Sequence, residues 1–270
     1  MKNYILFLVL IFSLLSCKNE KTEITKNFST DLQTDHFNIW VENPKKAKQQ
    51  LINIGFTAVP DSLSKIHEGQ GTAGKYFNFL NGYLELIFVY NQDELIENNE
   101  NNIELDFTER ANFRKNGASP YGIALKVKDY NVSKIPFQKI RYHQDWMEEN
   151  ASIYSAKISK TNLNEPSIFV VYPKIESERF ETLDDLKSIP EQYAFYSAFY
   201  KHQNGAQKIT DVIITSNQLN LNTETIKALN SVENLTVKSG KQHLMELHFD
   251  NDIQGKSFDL RPELPLIIYL

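Results

Sequence analysis

The sequence predicts an α+β protein built from repeated units, each with the element order strand, helix, strand, strand, strand. Two observations indicate this class. Apolar and polar residues alternate with a period of two over several short runs, which is typical of strands that bury one face. The same order of elements then recurs along the chain, and a repeated unit of similar size is a signal of topology. A chain of 270 residues is also long enough to bury a sizeable core.

The first unit has the clearest pattern. Its first strand is predicted at residues 35–41, where hydrophobicity alternates. Asn43 and Pro44 begin a helix, because proline is favoured in the first helical turn, and Gly55 ends it. The remaining elements are predicted as strands at 56–59, 75–80 and 83–90, with a loop at 61–74 and a hairpin turn at Asn81-Gly82.

Two further units follow this one. The second has predicted strands at 122–128, 140–146, 153–159 and 167–172, with a short helix or loop at 130–138. The third has predicted strands at 209–215, 235–238, 243–250 and 257–260, with a helix at 222–232. A polar, acidic stretch at 91–102 is predicted to be a surface excursion. The predicted boundaries are therefore 1–17 for a signal peptide, 18–34 for a flexible tether, 35–175 for two paired units, 176–207 for a partly helical linking region and 208–270 for the third unit.

The start of the chain is predicted to be a targeting signal that is not part of the fold. Lys2 precedes an apolar run over 4–15 that is too short for a comfortable membrane span. The run ends in Leu14-Leu15-Ser16-Cys17, which resembles a bacterial lipoprotein signal. We expect acylation of Cys17, as by palmitate, and a protein anchored to a membrane of the cell envelope, facing outside the cytoplasm. The alternative is an ordinary signal peptide or signal anchor with an incidental cysteine.

Composition excludes several kinds of chemistry. The formal net charge is −5, and no basic stripe is visible, so nucleic acid is not an expected partner. Cys17 is the single cysteine of the chain. With that residue acylated, disulfides, thiolate metal sites and cysteine nucleophiles are excluded. Any metal ligand must therefore come from His, Asp or Glu.

His36 and Glu85 are the most informative polar residues. Each stands in the middle of a predicted strand among apolar neighbours, where burial without a partner costs free energy. His36 is predicted to share one strand face with Asn38 and Trp40, and Glu85 to share another with Tyr83 and Ile87. A divalent metal or a polar ligand in a sheet-lined cavity would supply the missing partner.

Several motifs in order resemble the vicinal oxygen chelate superfamily, and its glyoxalase-like domains in particular. The resemblance rests on Asp35-His36-Phe37, Gly55-Phe56, His67-x-Gly69-x-Gly71-Thr72, Tyr83-Leu84-Glu85-Leu86-Ile87, His202-Gln203-Asn204-Gly205-Ala206 and Leu260-Arg261-Pro262-Glu263-Leu264-Pro265-Leu266. It covers most of residues 35–270 and is strongest in the first unit. It implies the glyoxalase–bleomycin resistance fold, in which tandem βαβββ units curl around a cavity.

The resemblance also implies a site. His36 and Glu85 would lie side by side on adjacent strands and bind a divalent metal such as Fe, Mn, Zn or Ni, with Glu85 also acting as a base. The ligand would be a small oxygen-rich molecule, and the chemistry that of a metal-dependent lyase, isomerase or dioxygenase. Contacts to that ligand are predicted for His67, Thr72, Asn78 and His202.

The second unit departs from this pattern. Gly122 stands where a second histidine would be expected, and the last strand of the unit carries no carboxylate. His67 or His202 could complete a ligand set, or His36 and Glu85 could form a polar pair without metal. A non-catalytic ligand-binding or resistance-type module of the same fold is therefore the alternative function.

Two further questions stay open. In the third unit, Asp211 and the strand residues Glu246, His248 and Asp250 form either a second metal set or the solvent face of a strand, and the latter is favoured. That unit could pair within the chain or across a homodimer. The aromatic run 193–200 is predicted to be a packed linking helix, and Trp146 a core residue.

Overall fold

The computed structural model describes residues 28–270, which form two β-sheets with short helices around them. The strands are β1 (Leu32–Trp40), β2 (Ile66–His67), β3 (Thr72–Phe79), β4 (Gly82–Val89), β5 (Tyr121–Val127), β6 (Lys139–Tyr142), β7 (Ile153–Ala156), β8 (Ser167–Val170), β9 (Ile209–Asn217), β10 (Leu235–Gly240), β11 (Leu244–Phe249), β12 (Ser257–Asp259) and β13 (Leu266–Tyr269). The α-helices are α1 (Pro44–Asn53), α2 (Gln92–Asn101), α3 (Phe107–Ala111), α4 (Phe113–Asn116) and α5 (Glu224–Asn230).

The strand order confirms the predicted fold class. The first eight strands form one sheet in the order β2-β3-β4-β1-β5-β8-β7-β6. In each half the first strand lies parallel to the last, β1 beside β4 and β5 beside β8. The halves join where β1 and β5 pair antiparallel. This is the arrangement of two βαβββ units in a glyoxalase-type fold, with 3-10 turns in place of the helix in the second unit.

One predicted element of the first unit is wrong. The segment 56–59 is not a strand, although Val59 donates its N–H to the Tyr76 carbonyl oxygen at 2.9 Å, and the second strand is β2 instead. The predicted surface excursion at 91–102 contains helix α2, whose first turn is capped by the Asn91 side chain. Its apolar signal is weak because only Leu95 and Asn98 are buried.

The third unit follows the predicted order of elements but pairs its strands differently. Its sheet has the order β10-β9-β11-β13-β12, so that the first two strands are parallel neighbours. In the first unit, by contrast, β1 and β2 lie three places apart. The last strand of this sheet, β13, was not predicted.

The period-two alternation separates a core face from a cavity face. On β1, Phe37 and Ile39 point into the main hydrophobic core, while His36, Asn38 and Trp40 line a cavity. The third unit contributes to the same core, and the Tyr121 hydroxyl donates to the Pro265 carbonyl oxygen at 2.7 Å. The eight-stranded sheet is therefore covered on one face by the third unit and leaves its polar face to the cavity.

The start of the chain is described only in part. The predicted signal peptide, Cys17 and the first part of the predicted tether lie outside the described residues. Strand β1 begins at Leu32, which is buried, so the folded region starts three residues before the predicted boundary at 35. No helix in the described part of the chain combines the length and apolar character needed to span a membrane.

Candidate functional site

A cavity of about 730 Å³ lies against the polar face of the eight-stranded sheet. Its volume falls within the range typical of small-molecule sites. Strands β1, β3 and β4 supply one half of the lining, and β6, β7 and β8 supply the other. The floor and lower walls include His36, Asn38, Trp40, His67, Tyr76, Asn78, Tyr83, Glu85, Ser167 and Phe169.

Four residues form one row across the centre of this floor. Glu85 on β4 is the strand neighbour of Asn38 on β1. Asn38 is paired with Gly122 on β5, and Gly122 is paired with Ser167 on β8. His36 lies two residues before Asn38 on β1. Its position is therefore displaced by two residues along the strands from that of Glu85. The predicted side-by-side placement of His36 and Glu85 is therefore wrong in register, since the strand neighbour of Glu85 is Asn38. Both predicted residues do line the same cavity.

Gly122 gives Asn38 its space. A Cβ atom at position 122 would lie 2.1 Å from Asn38 Oδ1, which is far inside van der Waals contact. Asn38 is 5% exposed, and its Oδ1 has no hydrogen-bond partner within residues 28–270. The absence of a side chain in the second unit thus creates the room that holds a polar group of the first.

We predict that Gly122→Ala destabilises the protein by about 1–3 kcal/mol, because the new methyl group overpacks the floor. The same substitution in an Asn38→Ala background should cost clearly less, since the clashing amide is gone. Urea unfolding of the four proteins in this double-mutant cycle measures the coupling. Additive effects would show that Gly122 is needed for some other reason.

Asp35 orients the imidazole of His36. A β-bulge interrupts the pairing of β1 with β5 between Thr34 and His36. The bulge lets two consecutive residues meet, and His36 Nδ1 donates to Asp35 Oδ1 at 2.5 Å. The ring also stacks on Tyr83, with centroids 4.1 Å apart and planes at 13°. In the neutral ring, Nε2 is then left as a hydrogen-bond acceptor.

Asp35 itself is held by three further groups. Its carboxylate accepts the Ser177 N–H at 2.9 Å and the Ser177 hydroxyl at 3.0 Å, and Lys126 Nζ lies 3.2 Å away. Burial raises the pKa of Asp35, but the bonds from His36 and Ser177 and the charge of Lys126 outweigh it and lower that pKa to about 2. The sequence motif contained Asp35, yet its role as the orienting carboxylate was not predicted.

Glu85 belongs to a second cluster on the floor. His67 Nε2 lies 3.2 Å from Glu85 Oε1 and 2.9 Å from the Tyr76 hydroxyl. Burial raises the pKa of Glu85, but the neighbouring His67 and His36 and the nearby Tyr76 hydroxyl hold it below the usual value. The geometry of the His67 contact falls short of a hydrogen bond, so Glu85 Oε1 remains a buried acceptor without a hydrogen-bond donor within residues 28–270.

The predicted ligand contacts divide into two groups. His67 and Asn78 line the cavity, as predicted ligand residues should. Thr72 does not line it, since its side chain is fully buried, and its hydroxyl bonds His67 Nδ1 at 2.7 Å. Thr72 therefore positions His67 instead of contacting a ligand directly.

His202 is a core residue, and its predicted contact with the ligand is wrong. Its Nδ1 accepts the Thr57 N–H at 2.9 Å, and its Nε2 lies 2.9 Å from the Asn78 carbonyl oxygen. Its ring packs between Phe56 and Phe79, on the face of the sheet away from the cavity. Both ring nitrogens bond backbone groups of the first unit, so the ring connects the linking region to that unit.

We predict that His202 makes the fold sensitive to mild acid. Burial lowers the pKa of His202 from 6.5 to about 4, although the bond to Asn78 and the charge of Asp250 oppose that shift. The unfolded chain therefore takes up a proton first, and stability is lost as pH falls from 6.5 through 4, by roughly 3 kcal/mol in total. The plot of unfolding free energy against pH should be flatter across this range for His202→Gln than for the wild type. An unchanged slope would contradict this origin.

The linking region forms one wall of the cavity. Residues Glu191–Tyr200 form a 3-10 helix, and Tyr193, Tyr196 and Tyr200 from it line the cavity. The prediction that this helix is packed in the interior is therefore wrong, because Tyr193 is 52% exposed. Trp146, predicted in the core, is 48% exposed, lines the cavity and donates its indole N–H to the Glu68 carbonyl oxygen at 3.1 Å.

The residues present do not fit the divalent metal that the resemblance implies. No group of three or more His, Cys, Asp or Glu side chains that could hold an ion occurs within residues 28–270. The central row offers one carboxylate and one amide from the first unit, and only Gly122 and the Ser167 hydroxyl from the second. Proteins usually fix such ions with three or more protein ligands.

His248 and Asp250 of the third unit have structural partners. His248 Nδ1 bonds Asp252 at 2.8 Å, and its ring stacks on Tyr269 with centroids 4.4 Å apart. Asp250 accepts two backbone N–H groups just before β9. Asp211 lies opposite His248 in the strand register.

The strand order defines the class: this is a protein of the tandem βαβββ, glyoxalase-type fold. No protein-family model and no curated protein matches the chain. Among solved structures, a hypothetical protein from Staphylococcus aureus is 13% identical, with a TM-score of 0.45, over 88% of this chain and 98% of its own. A hypothetical protein from Bacillus halodurans C-125 is 14% identical, with a TM-score of 0.36, over 55% of this chain and 99% of its own. A methylmalonyl-CoA epimerase from Mycobacterium tuberculosis is 14% identical, with a TM-score of 0.34, over 57% and 96%.

Proposed function

We propose that this protein binds a small oxygen-rich organic molecule in the sheet-lined cavity, without a metal. The observation that carries the proposal is a pair of buried acceptors, Asn38 Oδ1 and Glu85 Oε1, that lie side by side on the floor. Neither has a hydrogen-bond partner within the described residues. Leaving Asn38 Oδ1 unpaired costs about 1–3 kcal/mol, and a ligand hydroxyl that donates to it removes that cost. Glu85 Oε1 has only the contact with His67 at 3.2 Å and can accept a second ligand hydroxyl.

The charges of the floor support a neutral ligand over an anion. Arg110 lines the cavity, but its guanidinium is committed to Asp106 and to four backbone carbonyl oxygens. Lys174 on the lining is paired with Glu148. Lys65 also belongs to the lining but is exposed, whereas the buried floor presents the ionised carboxylate of Glu85, which would repel a phosphate or carboxylate there.

The cellular setting in the proposal comes from the sequence. A lipidated Cys17 would hold the protein on a membrane of the cell envelope, where the cavity would meet small molecules outside the cytoplasm. Metabolic labelling with a clickable palmitate analogue tests this anchor. Labelling that is lost in Cys17→Ser supports it, and labelling that persists in this variant contradicts it.

Binding and metal content test the function together. We expect the purified full chain to contain far less than one equivalent of Fe, Mn, Zn or Ni by elemental analysis, and to be stabilised thermally by hydroxylated small molecules. Glu85→Gln should reduce that stabilisation, because it removes the charged acceptor. Glu246→Gln makes the same chemical change on β11, outside the cavity, and should leave it intact. A stoichiometric metal lost in Glu85→Gln would overturn the metal-free proposal.

A further inference from the structure

The floor of the cavity carries a third acceptor besides Asn38 and Glu85. His36 Nε2 faces the cavity, because the Nδ1–H group donates to Asp35 and the stacked Tyr83 ring fixes the plane of the imidazole. The three acceptors lie on one face of two adjacent strands. The floor of the first unit therefore presents three hydrogen-bond acceptors to the cavity.

The spacing of these acceptors limits what can bind them. Neighbouring strands lie about 4.8 Å apart, and residues two apart along a strand lie about 6.6 Å apart. Acceptors that share one nitrogen at hydrogen-bonding distance lie only about 4.7 Å from each other. One ammonium group could reach Asn38 and Glu85 together, but His36 then needs a donor on a different ligand atom.

The walls add a second requirement. Six tyrosines line the cavity: Tyr76, Tyr83, Tyr142, Tyr193, Tyr196 and Tyr200. A tyrosine hydroxyl both donates and accepts, which matches a ligand hydroxyl better than an ammonium group, since the latter cannot accept. Trp40, Phe107 and Phe169 add apolar ring surface to the cavity lining. Such surface suits the C–H face of a saturated ring.

We propose that the ligand is a polyhydroxylated ring, such as a monosaccharide or short saccharide, with separate hydroxyls donated to His36, Asn38 and Glu85 and its apolar face on the aromatic walls. This inference rests on the proposed function and names its ligand class. The cavity of about 730 Å³ has room for more than one sugar ring.

Tryptophan fluorescence provides a direct readout. Trp40 and Trp146 are the only two tryptophans of the chain, and both line the cavity. The full chain is titrated with glucose, galactose, mannose, N-acetylglucosamine and myo-inositol, with 2-phenylethylamine as a cationic probe and 3-phenylpropionate as an anionic one. We expect saturable changes in emission for at least one polyol, and weak or no changes for the two charged probes.

Variants assign the change to the three acceptors. Asn38→Ala, His36→Phe and Glu85→Gln should each weaken polyol binding at least tenfold, while Glu246→Gln should bind as the wild type does. Circular dichroism and urea unfolding check that each variant is folded, and Asn38→Asp keeps an acceptor at position 38 should Asn38→Ala unfold. Retained polyol affinity in the folded acceptor variants would overturn the inference.

The outcomes separate this inference from the binding function. Saturable binding of the amine alone, lost in Glu85→Gln, would overturn the polyol class and leave a small-molecule site in the cavity. Binding of neither polyols nor charged probes would overturn both.

Discussion

Replacing Arg110 by methionine is expected to lower the free energy of unfolding by about 3–5 kcal/mol, because it leaves a buried charge without its partner. Arg110 is 1% exposed. Its Nε donates to Asp106 Oδ2 at 2.6 Å, and its terminal nitrogens bond the carbonyl oxygens of Ser119, Leu163, Glu165 and Ser159 at 2.8–3.1 Å. The guanidinium thus ties α3 to the loops that lead into β5 and β8.

Two variants show whether the hydrogen-bond geometry or the side-chain volume matters. Arg110→Lys keeps the charge but cannot reach four carbonyl oxygens, so it should recover only part of the loss. Arg114→Met removes a neighbouring arginine whose side chain is 40% exposed, and its effect should be small. Urea unfolding followed by circular dichroism measures all three. Equal losses for Arg110→Met and Arg114→Met would contradict the predicted role.

Replacing Asp35 by alanine is expected to cost about 3–5 kcal/mol as well, since it leaves the Lys126 charge and the donors of His36 and Ser177 without their partner. Asp35 is 1% exposed and receives bonds from His36 and Ser177, with Lys126 beside it. Asp35→Asn keeps the shape and loses the charge, so a smaller loss is expected. Either change also frees the His36 ring, and ligand affinity should fall with stability.

The pH dependence of stability gives a second measurement on Asp35. Its pKa in the folded protein is about 2, below the ordinary value of 3.8. The carboxylate therefore stabilises the fold above pH 3.8, and about 2 kcal/mol is lost as pH falls from 3.8 through 2. Asp35→Asn should remove this component, whereas Asp184→Asn, at an exposed ion pair, should retain it. An unchanged acid profile in Asp35→Asn would contradict the assignment.

The faces of the central strands could be predicted from the sequence, but the contacts within the site could not. Alternation alone places His36 and Glu85 on cavity-facing positions, because side chains of a strand alternate strictly between its two faces. The strand register is set by pairing across the sheet, which a single strand does not encode. For that reason the sequence did not show that Asn38, and not His36, is the neighbour of Glu85.

Local irregularities explain the remaining differences. A bulge brings Asp35 and His36 together, although strict alternation would place them on opposite faces. The tyrosines of Glu191–Tyr200 are apolar enough to suggest packing, and only the three-dimensional path of the linking region shows that they form a wall. Histidine is a residue type common in functional sites, which led to the prediction for His202. Its two bonds to backbone groups join residues more than a hundred positions apart in the chain, so the sequence does not show them.

The two halves of the large sheet have taken on different tasks. The first half carries the acceptors of His36, Asn38 and Glu85, while the second contributes, through Gly122, the space beside Asn38. A changed side chain at Ser167, whose hydroxyl bonds Asp106, would reshape that space without touching the network around Asp35 or Glu85. Selectivity for different molecules could therefore diversify, in evolution or by engineering, through one half of the protein while the other keeps its chemistry fixed.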